Sequence, residues 1–282
     1  MFKTNRRFVV AVVGFSYILA LAGCSGSPES TVAGGCQAAS TFPTLKEGVL
    51  TIAAVNAMPK LDAKPGSGAA EGTSGIMITQ FAEANCLTMD WLVLSGPAAV
   101  ETMAQGRADI AGGDWTKSEK RGEVMSQSDP VWYDPTAITS STGIDSLEGL
   151  KSSIIGANLA STYFAPLQKM YGADSVRGYD LPESVFQDLA TGRLDAAVGG
   201  AAESVWMAKQ AGADDVKVVA IAPDPEFPEL TKIAEMNWPH IKDNPELTKA
   251  INAFIKEARS DGSMEAALTK YGLTDPIQMT GK

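Results

Sequence analysis

From Val49 onward, short apolar runs alternate with longer stretches whose apolar positions recur at helical spacing. This rhythm predicts an α/β chain. Val49–Val55 reads as a strand, Ser74–Ala84 as a helix with Ile76, Phe81 and Ala84 on roughly one face, and Met89–Leu94 as a second strand. Ala98–Gln105 reads as a second helix and Ala108–Gly112 as a short apolar strand. An extended piece over Pro135–Ser140 leads out of this unit. A second unit repeats the rhythm. It starts with Ile154–Ala157 as a strand and Ser161–Tyr171 as a helix with Ser161 at its N-cap. It continues through Ser175–Tyr179, Pro182–Thr191, Ala196–Gly199, Ala202–Ala211 and Val216–Ile221. Ala222–Glu229 carries three prolines and reads as a loop. Asn244-Pro245 opens a helix that runs to Arg259, and Met264–Tyr271 forms a last short one.

The chain before Val49 follows other rules. Lys3, Arg6 and Arg7 form a basic start, and the apolar stretch Phe8–Leu21 is too short to span a bilayer comfortably. It ends in Leu21-Ala22-Gly23-Cys24, which resembles a bacterial lipobox. Residues 1–23 are therefore expected to be a lipoprotein signal peptide and Cys24 the lipidation site, which would hold the chain to a membrane surface. An ordinary signal peptide beside a coincidental cysteine is the alternative. The segment 24–44 is rich in Ser, Gly and Ala and is expected to be a tether.

The 282 residues suffice for one large domain or two lobes, and 45% of them are hydrophobic, enough to bury a core. The formal net charge of −10 becomes more acidic once Lys3, Arg6 and Arg7 are removed. That argues against nucleic acid and anionic membrane as partners. With Cys24 assigned to lipid, Cys36 and Cys86 remain in an oxidising compartment, where a disulfide between them is expected and two free thiols are the alternative. His240 is the single histidine and no Cys/His cluster exists, so neither metal nor cofactor is expected.

Five motifs in order resemble the family 3 (polar amino acid type) solute-binding proteins of bacterial ABC importers. They are Asp109-Ile110-Ala111-Gly112-Gly113-Asp114-Trp115-Thr116 running on to Arg121 and Ser128-Asp129-Pro130, then Ser146 to Lys151 with Ile155-Gly156. Gly192-Arg193-Leu194-Asp195-Ala196-Ala197 and Ser260-Asp261-Gly262 with Tyr271-Gly272 complete the set. The resemblance spans about Leu45 to Leu273. It implies a two-lobed type 2 periplasmic-binding-protein fold with two hinge crossovers, near Ile138–Gly143 and Leu230–Glu235. Lobe 1 would comprise 45–139 and 235–282, and lobe 2 would comprise 140–234. Ligand would bind between lobes that close by hinge motion.

By the same resemblance, Arg121 would grip a ligand carboxylate, a task for which a guanidinium fork is suited. Thr116, Ser161 and Thr162 would add donors. Elsewhere the chain departs from the family. Gly199-Gly200 stand where an acid usually meets the ligand's α-ammonium, and Asn56-Ala57-Met58-Pro59-Lys60 stand where aromatics usually clamp the ligand. Asp114, otherwise a turn cap, and Glu203, otherwise a helix-start charge, are the candidate replacement acids. Trp115 and Met58 are the candidate walls, with packing at the hinge as the other reading of Trp115. Trp132 and Tyr133 read as core or hinge, and His240 as structural or exposed.

The expected function is capture of a small carboxylate-bearing ligand outside the cytoplasm, an amino acid first and a derivative or other small carboxylate second. An importer permease would be the partner and the binding protein a monomer. An enzyme is not expected, since no nucleophile–base set is readable. A dehydratase-like activity and a sensory receptor on the same fold are the remaining alternatives.

Overall fold

The computed structural model describes residues 35–159 and 161–282. The expected signal segment and Cys24 lie outside the described residues. Among the described residues, no helix is long and apolar enough to cross a membrane.

The first unit runs β1 (Val49–Ala54), α1 (Thr73–Ala84), β2 (Thr88–Val93), α2 (Gly96–Ala104) and β3 (Ile110–Gly112). β1 pairs in parallel with β2 on one side and β3 on the other. Flanked in this way, β1 is buried along its whole length, which is why Val49–Ala54 reads as an apolar run interrupted only by Thr51. Its side chains alternate: Leu50, Ile52 and Ala54 pack with Ile78 and Phe81 of α1, while Ala53 packs with Ala99 and Met103 of α2.

Next come β4 (Trp115–Thr116), α3 (Glu119–Gly122), β5 (Ser126–Gln127) and β6 (Trp132–Asp134). The second unit is β7 (Thr136–Ser140), β8 (Ile155–Asn158), α4 (Phe164–Tyr171), β9 (Val176–Tyr179), α5 (Pro182–Ala190), β10 (Ala196–Gly200), α6 (Ala201–Gln210), β11 (Lys217–Ala220) and α7 (Pro228–Thr231). The chain then returns through β12 (Ala234–Asn237), β13 (Pro239–His240), α8 (Pro245–Ser260), α9 (Ser263–Lys270) and α10 (Pro276–Thr280). Two five-stranded sheets result, ordered β2-β1-β3-β13-β5 and β11-β7-β10-β8-β9, with a small sheet β4-β12-β6 between them in chain path. The architecture is the two-lobed α/β fold of type 2 binding proteins.

The two crossings are β6 and β12, paired antiparallel with Ala234 opposite Asp134. The first comes earlier in the chain than Ile138–Gly143, because Ile138 already pairs with Val198 and Val219 inside the second sheet. Pro135, which has no N–H to donate, separates β6 from β7. Its carbonyl instead accepts from Ala201 N at 2.9 Å.

Local chemistry fixes several other ends. Asn244 caps α8 by accepting from Leu247 N at 3.1 Å, with Pro245 next in line. Cys36 and Cys86 form a disulfide that ties the N-terminal segment to the end of α1. Ala39 N donates to Ala84 O beside it. The helix expected from Ser161 begins three residues later, at Phe164. Ser161 N is spent on Asn158 O at 3.0 Å in a turn, so Ser161 is not the cap.

Candidate functional site

Between β1 and α1 the chain makes a loop, and Gly72 lets it close. With φ at +90°, a Cβ there would stand 2.3 Å from Lys60 O, so only glycine fits. The free N–H groups at the start of α1 are then met by the loop itself. Thr73 N donates to Pro59 O at 3.0 Å and Ser74 N to Lys60 O at 2.9 Å. Asn56 closes the other side, donating to Ala63 O and accepting from Ala63 N, both at 2.9 Å. The loop is a rigid shelf on the first lobe.

This shelf forms one wall of a cavity of about 410 Å³. Asn56, Met58, Leu61 and Asp62 line it from the first lobe. Pro182 and Glu183 at the start of α5, with Glu203, Trp206 and Met207 on α6, line it from the second. Three carboxylates and two thioethers thus share one concavity, which among the described residues is lined by neither lysine nor arginine. Burial raises the pKa of Glu203 above the usual carboxylate range. Asp134 and Glu183 push the same way, and Lys60 opposes them.

Beside the cavity lies a charge pair, half-buried at Lys60 and buried at Asp134. Lys60 reaches from the shelf to within 3.7 Å of Asp134 Oδ2, with its ammonium 5.9 Å from the centre of the Trp132 ring. Asp134 ends β6, and its Oδ1 accepts from Ala202 N at 3.0 Å, in the first turn of α6. Burial raises the Asp134 pKa, while Lys60 and the Ala202 N–H hold it down. A Cβ placed on Gly200 would meet Asp134 Oδ2 at 2.9 Å. Asp134 thus places a carboxylate directly beside the Gly200 position. Tyr163 belongs to the same neighbourhood. Burial first, then the charges of Asp134 and Glu203, push its phenol up to about 12, so it stays protonated.

Of the residues expected from sequence, Met58 and Glu203 come together in the cavity. Arg121, Thr116 and Trp115 form a second group. The Arg121 guanidinium lies 5.0 Å from the Trp115 ring centre and donates to the Thr116 carbonyl. Trp115 Nε1 donates to Gly112 O at 3.0 Å, which fixes the ring. Thr116 leaves its side chain exposed, while Arg121 is half-buried and its pKa is lowered by that burial. Ser161 and Thr162 precede α4. The Ser161 hydroxyl is buried without a hydrogen-bond partner among the described residues.

Asp114 is placed differently from either expectation. It sits at φ +50°, is 2% exposed, and is absent from the cavity wall. Its Oδ2 accepts from Thr73 Oγ1 at 2.8 Å and Trp132 Nε1 at 2.9 Å, and its Oδ1 from Trp238 Nε1 at 2.9 Å. It neither caps α3, whose cap is Ser118, nor faces the cavity. Instead it ties α1, β6 and the link between β12 and β13 into one buried knot. Burial raises its pKa against these three donors.

Sequence reasoning missed Lys60, Asp134, Glu183, Asp62 and Trp206. Lys60 was within reach, since it closes the segment already noted for its lost aromatics. Asp134 directly follows Trp132-Tyr133 and shows no local signal of its role.

A family model described as bacterial extracellular solute-binding proteins, family 3, matches residues 50–274. "Probable amino-acid-binding protein YxeM" of Bacillus subtilis (strain 168) is 24% identical over 192 residues, covering 66% of this chain and 69% of that protein. The lysine/arginine/ornithine-binding periplasmic protein of Escherichia coli (strain K12) is 25% identical over 190 residues, covering 64% of this chain and 71% of that one. Among solved structures, an ancestral cationic amino acid solute-binding protein superposes with a TM-score of 0.65 at 21% identity. That match covers 79% of this chain and 95% of the other, and shows a shared fold.

Proposed function

The chain belongs to the bacterial extracellular solute-binding proteins, family 3, and from that premise we propose that it captures a small carboxylate with a cationic end, foremost a basic amino acid, for an ABC importer. One observation carries the reading. The cavity between the lobes gathers Asp62, Glu183 and Glu203 beside Trp206, Met58 and Met207, with no lysine or arginine on its wall among the described residues. A cation entering it meets negative charge and an aromatic face in a site of ligand size. The names of the Escherichia coli relative and the ancestral protein support the same class.

Arg121 is the residue proposed to grip the carboxylate, with Thr116, Ser161 and Thr162 adding donors from both lobes. The unpartnered Ser161 hydroxyl favours this role. Trp115 holds Arg121 in place from below, and closure of the lobes about β6 and β12 would bring the two groups onto one ligand. No bond is made or broken in the ligand. Outside the described residues, Cys24 is proposed to carry lipid and to hold a monomeric binding protein at the outer face of the cell membrane, where it would meet its permease.

Calorimetric titration of the chain from Ser25 with arginine, lysine, ornithine, glutamine and glutamate tests the reading. The basic members should bind and glutamate should not. Glu203→Gln should weaken the basic ligands by roughly tenfold or more, and Arg121→Ala by about a hundredfold, as expected for charge-assisted contacts. Tight binding of glutamate in place of the basic members would overturn it.

A further inference from the structure

Lys60 is set in an unusual place for a lysine. Its backbone is locked, since its carbonyl accepts from Ser74 N. Its side chain, 23% exposed, reaches toward the almost fully buried Asp134. The groups that face it are all acceptors of positive charge: Asp134 at 3.7 Å, the Trp132 ring at 5.9 Å, and the carboxylates of Asp114 and Glu203 within electrostatic reach. At 3.7 Å the ammonium is beyond ordinary hydrogen-bond length from Asp134. The carboxylate has already given its other oxygen to Ala202 N. The crossing strand β6 and the start of α6 therefore provide a corner fitted to one small cation, and the first lobe fills it with its own.

We propose that Lys60 acts as a tethered ammonium that occupies the Asp134 corner, and that ligand recognition is consequently indifferent to a free α-amine. The chain then selects for a carboxylate and a distal cation. It accepts ω-guanidino and ω-amino carboxylates whose α-amine is absent or blocked as readily as the parent amino acids. The inference rests on the reading of the adjoining acidic cavity as a cation site. A ligand amine brought to this corner would have to displace Lys60 or lie beside a like charge, and either removes the gain from pairing with Asp134. Lys60 is a specificity-determining residue in this scheme, and Asp134 is the group through which it acts.

The test uses two probes, L-arginine and 5-guanidinopentanoate, which is arginine without its α-amine. Both are titrated calorimetrically into the wild-type chain and into Lys60→Met, Lys60→Arg and Lys60→Met/Asp134→Asn. The wild type should bind the two within about threefold of each other. Lys60→Met frees Asp134 and should shift the ratio toward arginine by about tenfold or more, as expected for a newly made charge-assisted pair. Lys60→Arg should keep the wild-type ratio. The double variant should return to it, because the acceptor has gone. A hundredfold wild-type preference for arginine would overturn the proposal, and so would a ratio that Lys60→Met leaves unmoved. In those outcomes both probes still bind, and the cation-site reading stands. Binding of neither probe to any variant would remove that reading and this proposal together.

Discussion

Asp134 Oδ2 stands 2.9 Å from the point where a Cβ on Gly200 would lie. Two positions far apart in sequence thus compete for one volume, and the chain has settled the competition with a glycine on β10 and a carboxylate on β6. The backbone at Gly200 is extended, with φ −67° and ψ 141°, so conformation alone would admit any residue. A Cβ there would force the Asp134 carboxylate to shift from its contacts with Ala202 N and Lys60. Gly200→Ala should lower stability by roughly 1–3 kcal/mol, the usual cost of overpacking a filled site. Urea unfolding checks this, and a loss below about 0.5 kcal/mol, the range of a neutral surface change, would show that Asp134 moves aside freely.

The Asp114 knot gives a sharper expectation. Two indole N–H groups and the Thr73 hydroxyl converge on one buried carboxylate. Asp114→Ala leaves all three donors without an acceptor and should cost at least about 3 kcal/mol, since each stranded donor carries its own desolvation penalty. Asp114→Asn should cost less, because an amide oxygen still serves one side of the group. If the alanine variant unfolds within about 1 kcal/mol of wild type, a value typical of an unremarkable substitution, the donors have found other partners and the knot is not a structural tie.

The disulfide closes a separation of 50 residues, a loop long enough for the chain-entropy picture to assign about 4 kcal/mol to it. Ser40 N on Asn85 Oδ1, Leu45 N on Asp109 Oδ1 and the stacking of Phe42 on Phe81 also hold the same segment, so the folded state keeps its place without the bond. Joint replacement of Cys36 and Cys86 by alanine should therefore cost about 2–4 kcal/mol in denaturant unfolding. It should leave ligand affinity unchanged, since neither cysteine lines the cavity. A parallel loss of affinity would contradict the separation of staple and site.

The sheet-forming runs were legible because their signals are local. Val49–Ala54 is apolar but for Thr51, and Asn244-Pro245 marks a helix start with its own side chains. The short strands of the small sheet and of the far side of the first sheet were not, because β4, β5, β12 and β13 become strands only when a partner from a distant segment arrives. The site divides along the same line. Glu203 could be placed from its position in the first turn of α6. Lys60 and Asp134 are 74 residues apart by their numbers, and only the tertiary fold makes them a pair. Asp114 misled for the opposite reason: its sequence setting suggested a ligand group, and its function as a buried acceptor depends on Trp132 and Trp238.

His240, the single histidine, gives a prediction that can be read without ambiguity. It is fully buried in β13, with Nδ1 3.0 Å from the Trp238 carbonyl and Nε2 2.7 Å from Thr248 Oγ1. A carbonyl only accepts, so Nδ1 carries the proton and Nε2 is free to accept from the Thr248 hydroxyl in the neutral ring. Burial lowers the pKa below 6.5, with the Trp238 carbonyl opposing it weakly. A depressed folded value means that the unfolded chain takes up a proton first as pH falls. The stability that the neutral ring supplies is thus fully present above about 6.5, where an unperturbed histidine titrates, and is lost as pH drops through the lower folded value. The imidazole C2–H resonance should therefore titrate with a midpoint below 6.5 in the folded protein. Unfolding free energy should decline across the same acidic window. A midpoint at or above 6.5 would mean that water reaches the ring, and that His240 does not sit sealed between Trp238 and α8.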